Sequence, residues 1–143
     1  MGVHVRPASL QDGVAVLDLL EDVGYYPEPV SFAHTFRKTI NDPNFLVRVA
    51  EESGRIVGVA TLSLRYQLGI GGLLACLDEL AVAPEAPKSA LRRLLRATVG
   101  RARALGAVRV VKKANQNTPP PRAAQLRSRA GSATAGATVP HGA

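Results

Sequence analysis

Apolar and polar residues alternate at the start of the chain, Val3 and Val5 against His4 and Arg6, and this period of two predicts a short strand. Pro7 ends it, and the period lengthens. Ser9 stands at a helix-cap position with Asp12 three residues on, and Val14, Val16, Leu17, Leu20 and Val23 form an apolar stripe. The expectation is a helix from Ser9 that Gly24 stops, weakened somewhat by Gly13. Tyr25-Tyr26-Pro27-Glu28-Pro29 reads as a loop. A second helix is expected from Ser31, with Phe32, Phe36 and Ile40 at spacing four on one face and Asp42-Pro43 closing it.

Alternation returns at Phe45, Val47 and Val49, a strand over 44–51, and Glu52-Ser53-Gly54 is a hairpin turn into a partner over 55–65. In that partner either Val57, Val59 and Thr61 or Ile56, Ala60 and Leu62 face inward. Gly58 in mid-strand points to a bulge or a close approach. Gly69-Ile70-Gly71-Gly72 has glycines enough for a phosphate loop but precedes a strand rather than a helix, so it reads as a flexible turn. Leu73 to Ala83 is the longest apolar strand, interrupted by Asp78 and Glu79. After Pro84-Glu85-Ala86-Pro87-Lys88 a helix is expected from Ser89 to Leu105. Leu91, Leu94, Leu95, Thr98, Ala102 and Leu105 face inward and Arg92, Arg93, Arg96, Arg101 and Arg103 outward. Gly106 ends it, and Val108, Val110 and Val111 mark a fifth strand over 107–112.

From Lys113 the pattern breaks. The triple proline at 119–121 excludes helix and central strand, and residues 122–143 have no apolar period. The chain therefore divides into one domain over 1–112 and a basic, Pro/Ala/Ser/Gly-rich tail over 113–143, expected to be disordered. The net charge of +7 is unevenly placed: the tail holds four of the 18 Lys and Arg and none of the 11 acidic residues. Nucleic acid is not expected as a partner, because no base-reading motif accompanies that charge. Cys76 is the one cysteine, which excludes an internal disulfide, and no Cys/His cluster suggests a metal; in mid-strand it reads as a small buried hydrophobe rather than a nucleophile. Without an apolar leader or a run of transmembrane length, the expectation is a cytoplasmic protein with no membrane partner. The tyrosine pair either lines a substrate mouth or packs a helix corner. His34 lies off the apolar face and reads as a surface residue.

The element order β-α-α-β-β-β-α-β carries a specific string, Leu77-Asp78-Glu79-Leu80-Ala81-Val82-Ala83-Pro84-Glu85, followed by a loop and an Arg-rich helix ending in Ala104-Leu105-Gly106-Ala107. With Val5-Arg6-Pro7-Ala8 and the Gly54-Arg55-Ile56-Val57-Gly58 hairpin, residues 3–112 resemble the GNAT superfamily of N-acetyltransferases. The resemblance implies an α+β fold: a mixed, mostly antiparallel central sheet flanked by helices. It also implies transfer of an acetyl group from acetyl-CoA to an amine of a small molecule or peptide. Leu80, Ala81 and Val82 would offer strand backbone to the pantetheine arm, and a carboxylate of that strand would serve as base. Glu79 is preferred over Asp78 for this; strand alternation puts the two on opposite faces. Either residue could instead be an ordinary strand-end charge.

Two departures from the family pattern stand out. The pyrophosphate loop of the family carries glycines that let backbone N–H groups approach the phosphates, whereas Glu85-Ala86-Pro87-Lys88-Ser89-Ala90-Leu91 fills the slot here. Pro87 removes a donor. Lys88, Ser89, Ala90, Leu91 and the helix N-terminus remain as substitutes, with Arg92 or Arg93 in reach of a phosphate. Impaired acetyl-CoA affinity is the expectation. The family also continues with an Asn, matched by Asn115 or Asn117, then a helix bearing a Tyr general acid and two closing strands. No aromatic residue comes after Tyr66, so these parts are expected to be missing, and the abrupt change of composition is what a shifted reading frame would produce. The result would be an exposed sheet edge and a homodimer through it. A non-catalytic binding or assembly module of the same fold, or a decayed remnant, is the alternative reading.

Overall fold

A computed structural model describes residues 2–113. Strand β1 (His4–Pro7) leads into helix α1 (Gly13–Asp22) and helix α2 (Pro29–Asn41). Next come a hairpin of β2 (Phe45–Glu52) and β3 (Arg55–Gln67), then β4 (Gly72–Val82), helix α3 (Ser89–Ala104) and β5 (Ala107–Lys112). The sheet runs in chain order, β1-β2-β3-β4-β5. Each neighbouring pair is antiparallel except β4 and β5, which α3 connects as parallel strands. Asn115 and the expectations about the tail, the closing strands and the general acid lie outside the described residues.

Sequence and structure differ at the ends and faces of the helices. α1 begins at Gly13 rather than Ser9. A short 3₁₀ turn over Leu10–Asp12 precedes it, held by the Asp12 carboxylate, which accepts the Ser9 N–H at 2.7 Å. Val16 and Leu19 are its buried residues, while Val14 is 74% exposed. α2 starts two residues earlier than expected: Pro29 occupies the first helical position and the Glu28 carboxylate accepts from Val30 and Ser31 N–H at 3.0 and 2.8 Å. In α3 the buried stripe is Ala90, Leu94, Thr98 and Ala102 at strict spacing four; Leu91 and Leu105 are exposed. The five arginines all point outward.

The hairpin forms as expected, with Ser53 (φ 52°) and Gly54 (φ 79°) both left-handed, as a two-residue type I′ turn requires. Val57, Gly58, Val59 and Ala60 are all buried, so β3 is covered on both sides and both alternatives for its inward face are right. α1 and α2 lie on the face that carries Val47, Val59 and Thr61. α3 lies on the other, where a Cβ on Gly58 would sit 3.1 Å from the Leu94 side chain. Gly58 is thus the close approach that its position implied, and the β2/β3 register also slips beside it. β1 is fixed by charge. The Arg6 guanidinium donates to both Asp12 oxygens at 2.8 and 2.9 Å and to Glu51 at 3.1 Å, which holds the Asp12 carboxyl below its ordinary range.

Substitutions at these two contacts have defined outcomes. Gly58→Val overpacks the Leu94 contact and lowers stability by about 1–3 kcal/mol in urea denaturation. Asp12 is depressed in the folded state, so its contribution is present above the unfolded carboxylate pKa and lost as pH falls through the folded one. Asp12→Asn therefore costs about 1–3 kcal/mol at pH 7 and flattens the acid limb of stability against pH; an unchanged acid limb contradicts the network.

Candidate active site

The site is organised by one extra residue in β4. Thr61 pairs with Glu79 and Leu62 with Leu77, which leaves Asp78 unmatched in a β-bulge. Before the bulge, Leu74 and Cys76 share the face of Ser63 and Thr61; after it, Glu79 and Ala81 do. The bulge thus corrects the expectation that Asp78 and Glu79 diverge. Asp78 stays beside Cys76, whose thiol is pushed up first by burial and then by the Asp78 carboxylate. Glu79 turns to the same side, accepts a hydrogen bond from the Thr61 hydroxyl, and donates its backbone N–H to that Oγ1 at 3.1 Å.

Glu79 forms part of the wall of a cleft of about 530 Å³ between the sheet, α1 and α2. The Tyr25-Tyr26-Pro27 loop lines this cleft. Tyr25 has its phenol pushed up by burial and by the nearby Glu79 charge, so it stays protonated at neutral pH. Phe32 and Phe36 stack at 5.5 Å along the α2 wall. Sequence reasoning missed Thr61 as a partner of Glu79, because the pairing depends on a register that only the bulge creates.

The bulge also sets the backbone. The Leu77 carbonyl accepts from Lys113 N–H at 3.1 Å on the β5 side, and there the pairing with β5 ends. Ala83 N–H donates to Val57 at 2.8 Å, so Ala81 faces β3 as well, and Leu80 and Val82 direct their N–H and C=O to the other side. Among the described residues nothing pairs with them there.

The loop before α3 offers few donors. Glu85 N–H bonds its own carboxylate, Ala86 N–H bonds Ala83 at 3.0 Å, Pro87 has none, and Ala90 N–H bonds Pro87 at 2.9 Å. The Lys88 and Ser89 N–H groups remain. Ala90 is fully buried, Leu91 turns partly to solvent, and Arg92 is exposed. Arg93 donates to the Val3 carbonyl at 3.1 Å, so its guanidinium is held at the N-terminal end of the sheet and not beside β4. Arg55 pairs with Glu85 at 2.7 Å and offsets the one acidic side chain of the loop.

The sequence model of the acetyltransferase (GNAT) family matches residues 14–120. The chain belongs to that family.

Solved structures similar to this GNAT domain include a GNAT family acetyltransferase from Staphylococcus aureus (TM-score 0.72, 14% identity, covering 85% of this chain and 93% of that one). An aminoglycoside 6′-N-acetyltransferase from Acinetobacter baumannii gives TM-score 0.69, 17% identity and coverage of 90% and 88%. An aminoglycoside N-acetyltransferase solved in complex with CoA gives TM-score 0.70, 13% identity and coverage of 90% and 86%. No curated protein matches the chain in sequence. At these identities the structural likeness establishes the α+β GNAT-like fold. No described helix is long and apolar enough to cross a membrane. Among the described residues no group of His, Cys, Asp and Glu could hold a metal ion.

The shared side of Asp78 and Cys76 has a measurable consequence. Asp78→Asn removes one of the causes that raise the Cys76 thiol, so iodoacetamide should alkylate Cys76 several-fold faster at pH 8 in the variant. Equal rates would place Asp78 on the other face.

Proposed function

We propose that this GNAT domain transfers an acetyl group from acetyl-CoA to a primary amine of a small molecule or peptide, with weak affinity for the acetyl donor. The observation that carries this reading is the bulge at Asp78. It sets the Glu79 carboxylate on the cleft wall while leaving the adjacent Leu80 and Val82 backbone open to a ligand.

Glu79 binds the acceptor ammonium and takes its proton, directly or through a water, so that the neutral amine can attack. Asp78, one residue before it, is engaged beside Cys76 and does not line the cleft. Acetyl-CoA supplies the acyl group: the new N–C bond forms as the thioester C–S bond breaks and the thiolate leaves. The strand N–H groups of Leu80 and Val82 would hold the pantetheine arm and polarise the carbonyl as its oxygen gains charge. Lys88 and Ser89 N–H, at the N-terminus of α3, would face the pyrophosphate, with Arg92 the nearest unengaged guanidinium. Two loop donors are few for this group. Each missing charge-assisted hydrogen bond weakens binding by roughly 1.5–3 kcal/mol, about ten- to a hundredfold. That shortage supports the low affinity.

Amine-dependent release of CoA thiol, measured at millimolar acetyl-CoA, tests the reading. Glu79→Gln should lower kcat by about 10²–10⁴ with the far-UV circular dichroism unchanged. No amine-dependent release in the parent protein would leave the non-catalytic reading in its place. Affinity has its own test. Pro87→Gly restores a backbone donor and should tighten acetyl-CoA at least tenfold by calorimetry; low-micromolar binding by the parent protein would overturn the weak-affinity reading.

A further inference from the structure

The chemistry of the cleft wall narrows the acceptor. Among the described residues lining the cleft, Glu79 is the one charged side chain. Three hydroxyls of the wall are engaged: Thr61 with Glu79, Thr39 with the Thr35 carbonyl at 2.8 Å, and Ser31 with Glu28. Apart from Thr35 and the Tyr25 and Tyr26 phenols the rest of the wall is apolar, with the stacked Phe32 and Phe36 rings on its α2 side. A volume near 530 Å³ suits a single small ligand. A polycation placed here would find a counter-charge for one of its ammonium groups, and the others would gain nothing from a largely apolar wall. An anionic acceptor would meet a carboxylate and no cation.

From this we infer that the acceptor is a small monoamine with an apolar, preferably aromatic, body: one ammonium on Glu79 and the body against Phe32 and Phe36. The inference rests on the amine-transferase reading of the same site and deepens it. It separates this chain from structural relatives described as aminoglycoside acetyltransferases, one of them solved in complex with sisomicin.

Direct binding, measured by calorimetry without acetyl-CoA, tests the inference independently of turnover. The expected result is that 2-phenylethylamine binds at least tenfold more tightly than spermidine or kanamycin. It should also bind more tightly than 2-phenylethanol, which keeps the ring and lacks the charge. Thr35→Glu, on the α2 wall of the cleft, adds a second carboxylate and should narrow the gap to spermidine several-fold. Glu79→Gln should weaken 2-phenylethylamine about tenfold. Equal or tighter binding of spermidine or kanamycin by the parent protein, or no binding of 2-phenylethylamine, overturns the inference. If 2-phenylethylamine binds as expected yet is not acetylated at millimolar acetyl-CoA, the binding chemistry stands and the transferase reading falls. If kanamycin is acetylated in preference, the transferase reading stands and the monoamine inference falls.

Discussion

A strand that kept its period through residue 78 would turn Glu79 toward α3, into the apolar layer around Leu94. The unmatched Asp78 prevents this. One inserted residue reverses the alternation of everything after it, so Glu79 shares a face with Cys76 instead of opposing it. The same insertion decides which main-chain groups look away from β3. Without it, Glu79 and Ala81 would hold the open positions that Leu80 and Val82 now occupy. Side-chain chemistry and main-chain availability at this edge are therefore set together, and neither could change without the other.

Around that constraint the rest of the fold is support. α3 packs through every fourth residue, Ala90, Leu94, Thr98 and Ala102, all fully buried and all but Leu94 small. The small side chains bring the helix close to β3, and at Gly58 a Cβ would press on the Leu94 side chain at 3.1 Å. On the other face α1 and α2 stay apart from the sheet far enough to leave a cleft, floored by Val47, Val59 and Thr61. The two faces thus differ in kind. One is packed to contact and the other is left concave, as binding sites generally are.

Much of this is legible in the chain. Alternation locates all five strands, and the Ser53-Gly54 turn fixes the first hairpin, because both signals are local. The helix ends are less legible. Pro29 reads as a loop residue although it is well suited to a first helical turn, and Asp12 closes a tighter turn before α1 begins. Burial on α3 is misjudged at Leu91 and Leu105, since hydrophobicity alone favours leucine over the alanines that a close helix–sheet contact selects. At the site, the residue types of β4 point to Glu79 as the carboxylate, yet regular alternation gives it the wrong relation to Asp78. A bulge is a property of two strands in register, so no reading of β4 by itself could locate it. The engagement of Arg93 with Val3 joins positions too far apart in sequence for local patterning to connect.

That last contact has a mechanical side. The helix after β4 is anchored through Arg93 to the residue preceding β1, at the opposite border of the sheet. Within the sheet β1 pairs with β2 alone. Opening of the N-terminal segment therefore breaks this contact to α3 together with the β1–β2 pairing. A tag or fusion that displaces Val3 removes that tie to the helix from the far side of the molecule.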